Sequence, residues 1–166
     1  HPGMTTTTQT IRSPFHDFHE AHGAKMVPYA GWEMPLHYGS IIDEHLQVRR
    51  GAGIFDVSHM GRLRFSGRDA RRFLDHVCTR KINGMQEGQV RYGLICNADG
   101  GCRDDVLVYC TGESEYVMVC NAANREKLLD HFATHKGDLV FKLKDETEST
   151  GMVAIQGPAA IEMISN

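Results

Sequence analysis

What the 166 residues lack narrows the field first. No CxxC pair occurs, and the cysteines (Cys78, Cys96, Cys102, Cys110 and Cys120) are odd in number. That combination argues against a disulfide framework and against a zinc knuckle. Cys96, Cys110 and Cys120 lie inside apolar runs and read as small buried hydrophobes in a reducing compartment. No apolar run approaches the length that spans a bilayer. Charge of one sign is also missing: 18 Lys and Arg face 21 Asp and Glu, for a net charge of -3. Nothing electrostatic therefore points to nucleic acid or to an anionic membrane as partner. There is no GxSxG elbow, phosphate loop or dinucleotide fingerprint, and the glycines of GRD, NADGG and GDL read as turn glycines. Internal repeats and low-complexity tracts are absent too.

What is present is an ordinary globular composition, 41% hydrophobic and 23% charged, in a chain long enough for a real core. His1 to Gly3 read as an expression scar ahead of Met4, and residues 1–12 as a short disordered N-terminus. That start has no apolar stretch of a secretory signal, and one Arg is too little for a mitochondrial presequence. The expectation is a cytoplasmic protein.

Ser13-Pro14 reads as a helix start, with a short helix through Phe15, Phe18 and His22 stopped near Gly23. The segment KMVPYAGWEMPLHYG, broken by prolines 28 and 35, reads as an ordered but irregular aromatic loop. Ser40 caps a helix carrying Ile41, Ile42, His45, Leu46 and Arg49 along one side. GIFDV and GRLRFSG read as strands, and residues 68–77 as an amphipathic helix with Ala70, Phe73, Leu74 and Val77 inward. Three strands, about 91–96, 105–110 and 115–120, follow in close succession with NADGG and TGES as turns, which forces antiparallel neighbours. Asn121 is placed to cap a helix through Leu128, Leu129 and Phe132. DLVFKLK and GMVAIQG read as further strands, the second leading into a helix with Pro158 in its first turn. The pattern predicts an α+β fold: an antiparallel sheet with helices packed on one face and ferredoxin-like, split βαβ character.

Three clusters invite chemistry. HDFHEAH places His16, His19 and His22 at i, i+3 and i+6; rotation about the helix axis fans the rings across the surface, so no metal site is expected. FDVSHMG holds Asp56, Ser58 and His59, but neighbouring residues on an extended chain point to opposite faces, so Ser58 cannot use His59 as its base. In DDVLVYC, alternation puts Asp104, Val106, Val108 and Cys110 on an apolar face, and Asp105, Leu107 and Tyr109 on a mixed one. A mixed face of that kind suits a flat, partly apolar ligand with a ring nitrogen to hydrogen-bond. On pattern alone a solvated outer face with an acid at the turn remains the simpler reading.

Five segments carry a resemblance. GAKMVPYAGWEMPLHYGS (23–40), IIDEHLQVRRGAGIFDVSHMG (41–61), YGLICNADGGCRDDVLVY (92–109), VMVCNAANREK (117–127) and VAIQGPAA (153–160) together resemble the aminomethyltransferase (T-protein) family of the glycine cleavage system, in family order. The resemblance implies transfer of the methylene carbon of an aminomethyl group, carried on the lipoyl arm of the H-protein, to tetrahydrofolate, with release of ammonia. It implies Asp105 as the catalytic acid that orients folate and assists attack through hydrogen bonding or proton transfer. Met60, Tyr92, Leu107, Tyr109 and Asn121 match positions lining the same folate pocket. His19 fits the family pattern, whereas His16 and His22 stand where aromatic or apolar residues are usual. The family's chains are more than twice as long, so residues 13–166 are expected to be an N-terminal folate-binding region that is inactive alone. Within the superfamily a folate-dependent demethylase, the folate domain of a sarcosine-type oxidase, or a non-catalytic folate-binding module remain the alternatives.

Overall fold

The computed structural model describes residues 9–165. They divide into two compact units, one of residues 9–58 with 151–165 and one of His59–Thr150.

The first unit is built on small sheets. β1 (Ile11–Arg12) pairs parallel with β3 (Trp32–His37), and β3 pairs antiparallel with β2 (Lys25–Tyr29). The aromatic segment expected to be an irregular loop is thus a hairpin. Both prolines, which argue against strands, are accommodated within β2 and β3. Pro28 sits on the outer strand of the sheet, and Pro35 lies beyond Glu33, where β1 no longer covers β3. Neither position needs the missing N–H for the ladder. The turn holds Ala30 and Gly31 at positive φ of 49 and 83, the signature of a tight two-residue hairpin. The expected disordered start meets a limit here as well. Residues 1–8 lie outside the described residues, but Ile11 and Arg12 are ordered in β1.

α1 (His16–Ala21) precedes this hairpin and α2 (Ile41–Arg50) follows it. The Asp43 amide donates to Ser40 Oγ, as the capping spacing predicts. α2 buries none of its residues, and Ile41 and Ile42 stay open to solvent. β4 (Gly53–Asp56) pairs antiparallel with β10 (Val153–Gln156), which leads into α5 (Ala160–Ser165).

The second unit is one antiparallel sheet of β5 (Gly61–Ser66), β6 (Val90–Cys96), β7 (Cys102–Gly112), β8 (Glu115–Cys120) and β9 (Lys142–Asp145), in the order β6-β7-β8-β5-β9. α3 (Ala70–Val77) joins β5 to the meander, and α4 (Arg125–His135) joins β8 to β9. β5 lies between β8 and β9, so β8-α4-β9 is the split βαβ unit that the pattern predicts. The α+β expectation holds, with one shortening. The strand expected over DLVFKLK begins only at Lys142, because Phe141 turns inward before it and stacks on Phe73 with ring centroids 4.6 Å apart.

The core of this unit lies between the sheet and its helices. Leu63, Phe65, Val106, Val108 and Met118 come from one face of the sheet; Phe73, Leu74, Leu128 and Phe132 come from α3 and α4. With one sheet face committed to the helices, the other is left to present side chains outward.

Candidate functional site

Strand alternation decides which acid faces which way. In β7, Asp104, Val106, Val108 and Cys110 are buried, while Asp105 is exposed and Leu107 and Tyr109 are half-buried. Register then assembles the outward face. Tyr92 stands opposite Leu107, Leu94 opposite Asp105, and Val119 and Val117 opposite Leu107 and Tyr109 from the other side. Tyr92, Asp105, Leu107 and Tyr109 therefore share one surface. It carries an aliphatic centre, two phenols and a carboxylate.

The two acids have different work. Asp104, only 3% exposed, accepts hydrogen bonds from the Asn121 backbone N–H at 2.9 Å, from Asn121 Nδ2 at 2.8 Å and from Asn124 Nδ2 at 2.8 Å. It pins the start of the segment leading to α4 onto β7. Asn121 Nδ2 also donates to Asp105 Oδ1 at 2.9 Å, and the Tyr92 hydroxyl reaches Asp105 Oδ2 at 3.4 Å. One amide thus links the buried acid to the exposed one and fixes the orientation of Asp105. Loss of hydration, reinforced by the neighbouring Asp105 carboxylate, holds the Tyr92 phenol above its ordinary pKa.

The expectation that Asn121 caps the following helix needs correction. Its side chain makes no cap hydrogen bond, because both acids of β7 engage it; only its carbonyl takes part, accepting from the Asn124 N–H. Met60 comes just before Gly61, which pairs with Cys120, so Met60 and Asn121 lie at the same end of the sheet. Arg62, buried in β5 just beyond it, donates from Nη1 to the Met60 carbonyl at 2.7 Å. No motif marks Asp104 or Arg62 as a site-building residue. Alternation placed Asp104 inward at the end of an apolar face, and a buried acid there needs donors.

NADGG is a turn, as expected. Asn97 Oδ1 accepts from the Asp99 and Gly101 N–H groups, and Gly100 takes a φ of 82. Cys110 and Cys120 are buried as expected, and Cys78 with them, whereas Cys96 is only half-buried and Cys102 is exposed. All five are free, and burial pushes the Cys78 and Cys120 thiols up to about 12.

The first unit holds a second polar centre. His19 Nε2 lies 2.7 Å from Asp56 Oδ2, and its Nδ1 meets the Tyr38 hydroxyl. Asp56 also accepts from the Ser13 hydroxyl and from the Ser58 N–H. Burial works against the charged form of Asp56, but hydrogen bonds from His19, Ser13 and Ser58 outweigh it and hold the carboxyl below its usual range. Ser58 is buried and exchanges hydrogen bonds with the Met152 backbone, which makes it a structural tie. The histidines correct the surface-fan expectation: His16 and His19 are both buried, and only His22 is exposed. Next to this network an open cleft of about 840 Å³ is lined by Tyr38, Glu44, His45 and Asp56, among others. None of the residues expected to contact folate lines it; those stand on the open sheet face of the other unit.

The chain matches the GCVT N-terminal domain over residues 15–166. It belongs to that family. Aminomethyltransferases are similar across nearly all of it: that of Rubrobacter xylanophilus is 47% identical over 153 residues, covering 92% of this chain and 41% of the relative. That of Deinococcus deserti is 40% identical, covering 97% and 46%. The crystal structure of glycine cleavage system aminomethyltransferase T from Bartonella henselae superposes with a TM-score of 0.88 at 29% identity, over 94% of this chain and 43% of that one. The chain therefore spans under half the length of these relatives. Among the described residues, no helix of this GCVT-family chain is long and apolar enough to cross a membrane.

Proposed function

We propose that this chain is the N-terminal folate-binding region of a tetrahydrofolate-dependent aminomethyltransferase of glycine cleavage. Its donor is the aminomethyl group on the lipoyl arm of an H-protein. The methylene carbon passes to tetrahydrofolate, ammonia leaves, and the lipoyl arm is released in its reduced dithiol form. Family membership and the shared name of the relatives support the reaction class. The observation that carries the site is the exposed carboxylate of Asp105, oriented by Asn121 and flanked by Tyr92, Leu107 and Tyr109 on one sheet face.

Each residue has a role in this reading. Asp105 accepts a hydrogen bond from a ring N–H of the folate, and can take the proton which that nitrogen loses as it forms its new bond to carbon. Asn121 prevents the carboxylate from rotating away. Leu107 and the ring faces of Tyr92 and Tyr109 supply apolar area for a flat heterocycle. Met60, at the same sheet end as Asn121, extends that apolar edge. Much of the remaining rate enhancement comes from holding the two reactants together.

An open sheet face encloses a ligand on one side only, so we expect weak tetrahydrofolate binding or none by these residues alone, and no turnover. Micromolar binding in a calorimetric titration of this chain would overturn that. In the longer protein, Asp105→Asn should lower turnover of aminomethylated H-protein roughly a hundredfold or more, the usual range for a lost proton acceptor. Near-unchanged turnover would remove Asp105 from the mechanism. Five unpaired cysteines support a reducing, cytoplasmic setting.

A further inference from the structure

His16 is buried to 3% exposure, yet its Nδ1 has no hydrogen-bond partner. A buried imidazole nitrogen left this way needs a reason. Its other nitrogen is engaged: Nε2 lies 3.1 Å from Glu33 Oε2. In the neutral imidazole, Nε2–H donating to Glu33 leaves the lone pair of the ring on Nδ1. That lone pair faces two carboxylates, with Asp17 Oδ1 at 3.6 Å and Glu20 Oε2 at 3.8 Å.

Those distances are too long for hydrogen bonds. They come close to the edge of a coordination tetrahedron, which is about 3.4 Å when metal–ligand bonds are about 2.1 Å. The three ligand atoms all lie within 4.8 Å of one another. The Glu33 carboxylate behind the imidazole supplies the outer-shell contact that metal-bound histidines commonly have. Charge points the same way. Asp17, Glu20 and Glu33 stand around one imidazole, and Arg12 pairs with Glu33 at 3.4 Å. The start of α1 opposes a cation with a partial positive charge of roughly one half, which the excess of carboxylates outweighs.

We propose that His16 Nδ1, Asp17 and Glu20 form a binding site for one divalent transition-metal ion, with Glu33 fixing the imidazole. An imidazole–carboxylate donor set without sulfur suits zinc-class ions, with water completing the shell. The i, i+4 spacing of His16 and Glu20 places both on one side of α1, and Asp17 reaches the ion from the adjacent position. The histidine trio at i, i+3 and i+6 does not form this site; His19 belongs to the Asp56 network, and His22 Nδ1 lies 2.8 Å from the Phe18 carbonyl. The proposal is independent of the folate reading, since it uses other residues in the other unit.

The test is titration of the chain with Co²⁺, followed by its visible d–d absorption. We expect one equivalent to bind saturably, with no thiolate charge-transfer band. Glu20→Gln, at an exposed position that folding tolerates, and Glu33→Gln should each weaken binding about tenfold or more. His16→Gln should abolish it. Three results would overturn the site: no saturable binding, binding carried by a thiolate band, or equal affinity in wild type and Glu20→Gln.

Discussion

Asp104 and Asp105 are adjacent in sequence and chemically identical, which makes them a sharp test of the structure. Asp104→Ala removes three hydrogen bonds to one buried carboxylate. Bonds to charged groups contribute about 1.5–3 kcal/mol each when nothing replaces them. Here the donors on Asn121 and Asn124 are only half-buried, so water recovers part of the loss. A net cost of about 1 kcal/mol per bond, or roughly 3 kcal/mol in all, is the reasonable expectation. For a chain of this size that lowers Tm by roughly 6–12 °C. Asp105→Asn changes an exposed side chain and should stay within about 0.5 kcal/mol of wild type. Urea unfolding followed by far-UV circular dichroism measures both. If Asp104→Ala proves as benign as Asp105→Asn, Asp104 does not anchor the segment to α4. If Asp105→Asn is the costlier change, the division of labour between the two acids is reversed.

The Asp56 network gives a prediction with a pH signature. Asp56→Asn should cost about 1.5–3 kcal/mol at neutral pH by removing the charged acceptor of the hydrogen bonds from His19, Ser13 and Ser58. Because the folded carboxyl has a lowered pKa, its contribution is present above the unfolded value near 3.8 and disappears as pH falls through the folded one. The stabilities of wild type and Asp56→Asn should therefore converge in acid; a constant gap down to low pH would refute the assignment. Gly157→Ala should destabilise the first unit by at least about 1–3 kcal/mol from backbone strain alone. Gly157 has a φ of +124, and an added Cβ would stand 2.3 Å from the Gly51 carbonyl oxygen. A neutral Gly157→Ala in thermal unfolding would show that this contact can open.

Local chemistry was enough to determine much of this protein. Alternation in DDVLVYC separated the two acids onto opposite faces, because a strand has a strict period of two and one face of this sheet had to be apolar. Short polar turns forced the antiparallel meander, and the Ser40 cap and the apolar stripe of residues 70–77 located their helices. The sequence segments likewise pointed to the GCVT family, which the comparisons show. Tertiary structure decided the rest. Whether a proline breaks a strand depends on which neighbouring strand would have needed its N–H, and only the sheet shows that Pro28 and Pro35 escape the ladder. Whether Asn121 caps a helix depends on competing acceptors, and Asp104 and Asp105, seventeen and sixteen residues away, take its amide. The burial of His16 and His19 follows from the hairpin and from Asp56, which no helical spacing encodes. Period and capping are properties of a few consecutive residues. Hydrogen-bond partnership and burial belong to the distant segments that folding brings alongside.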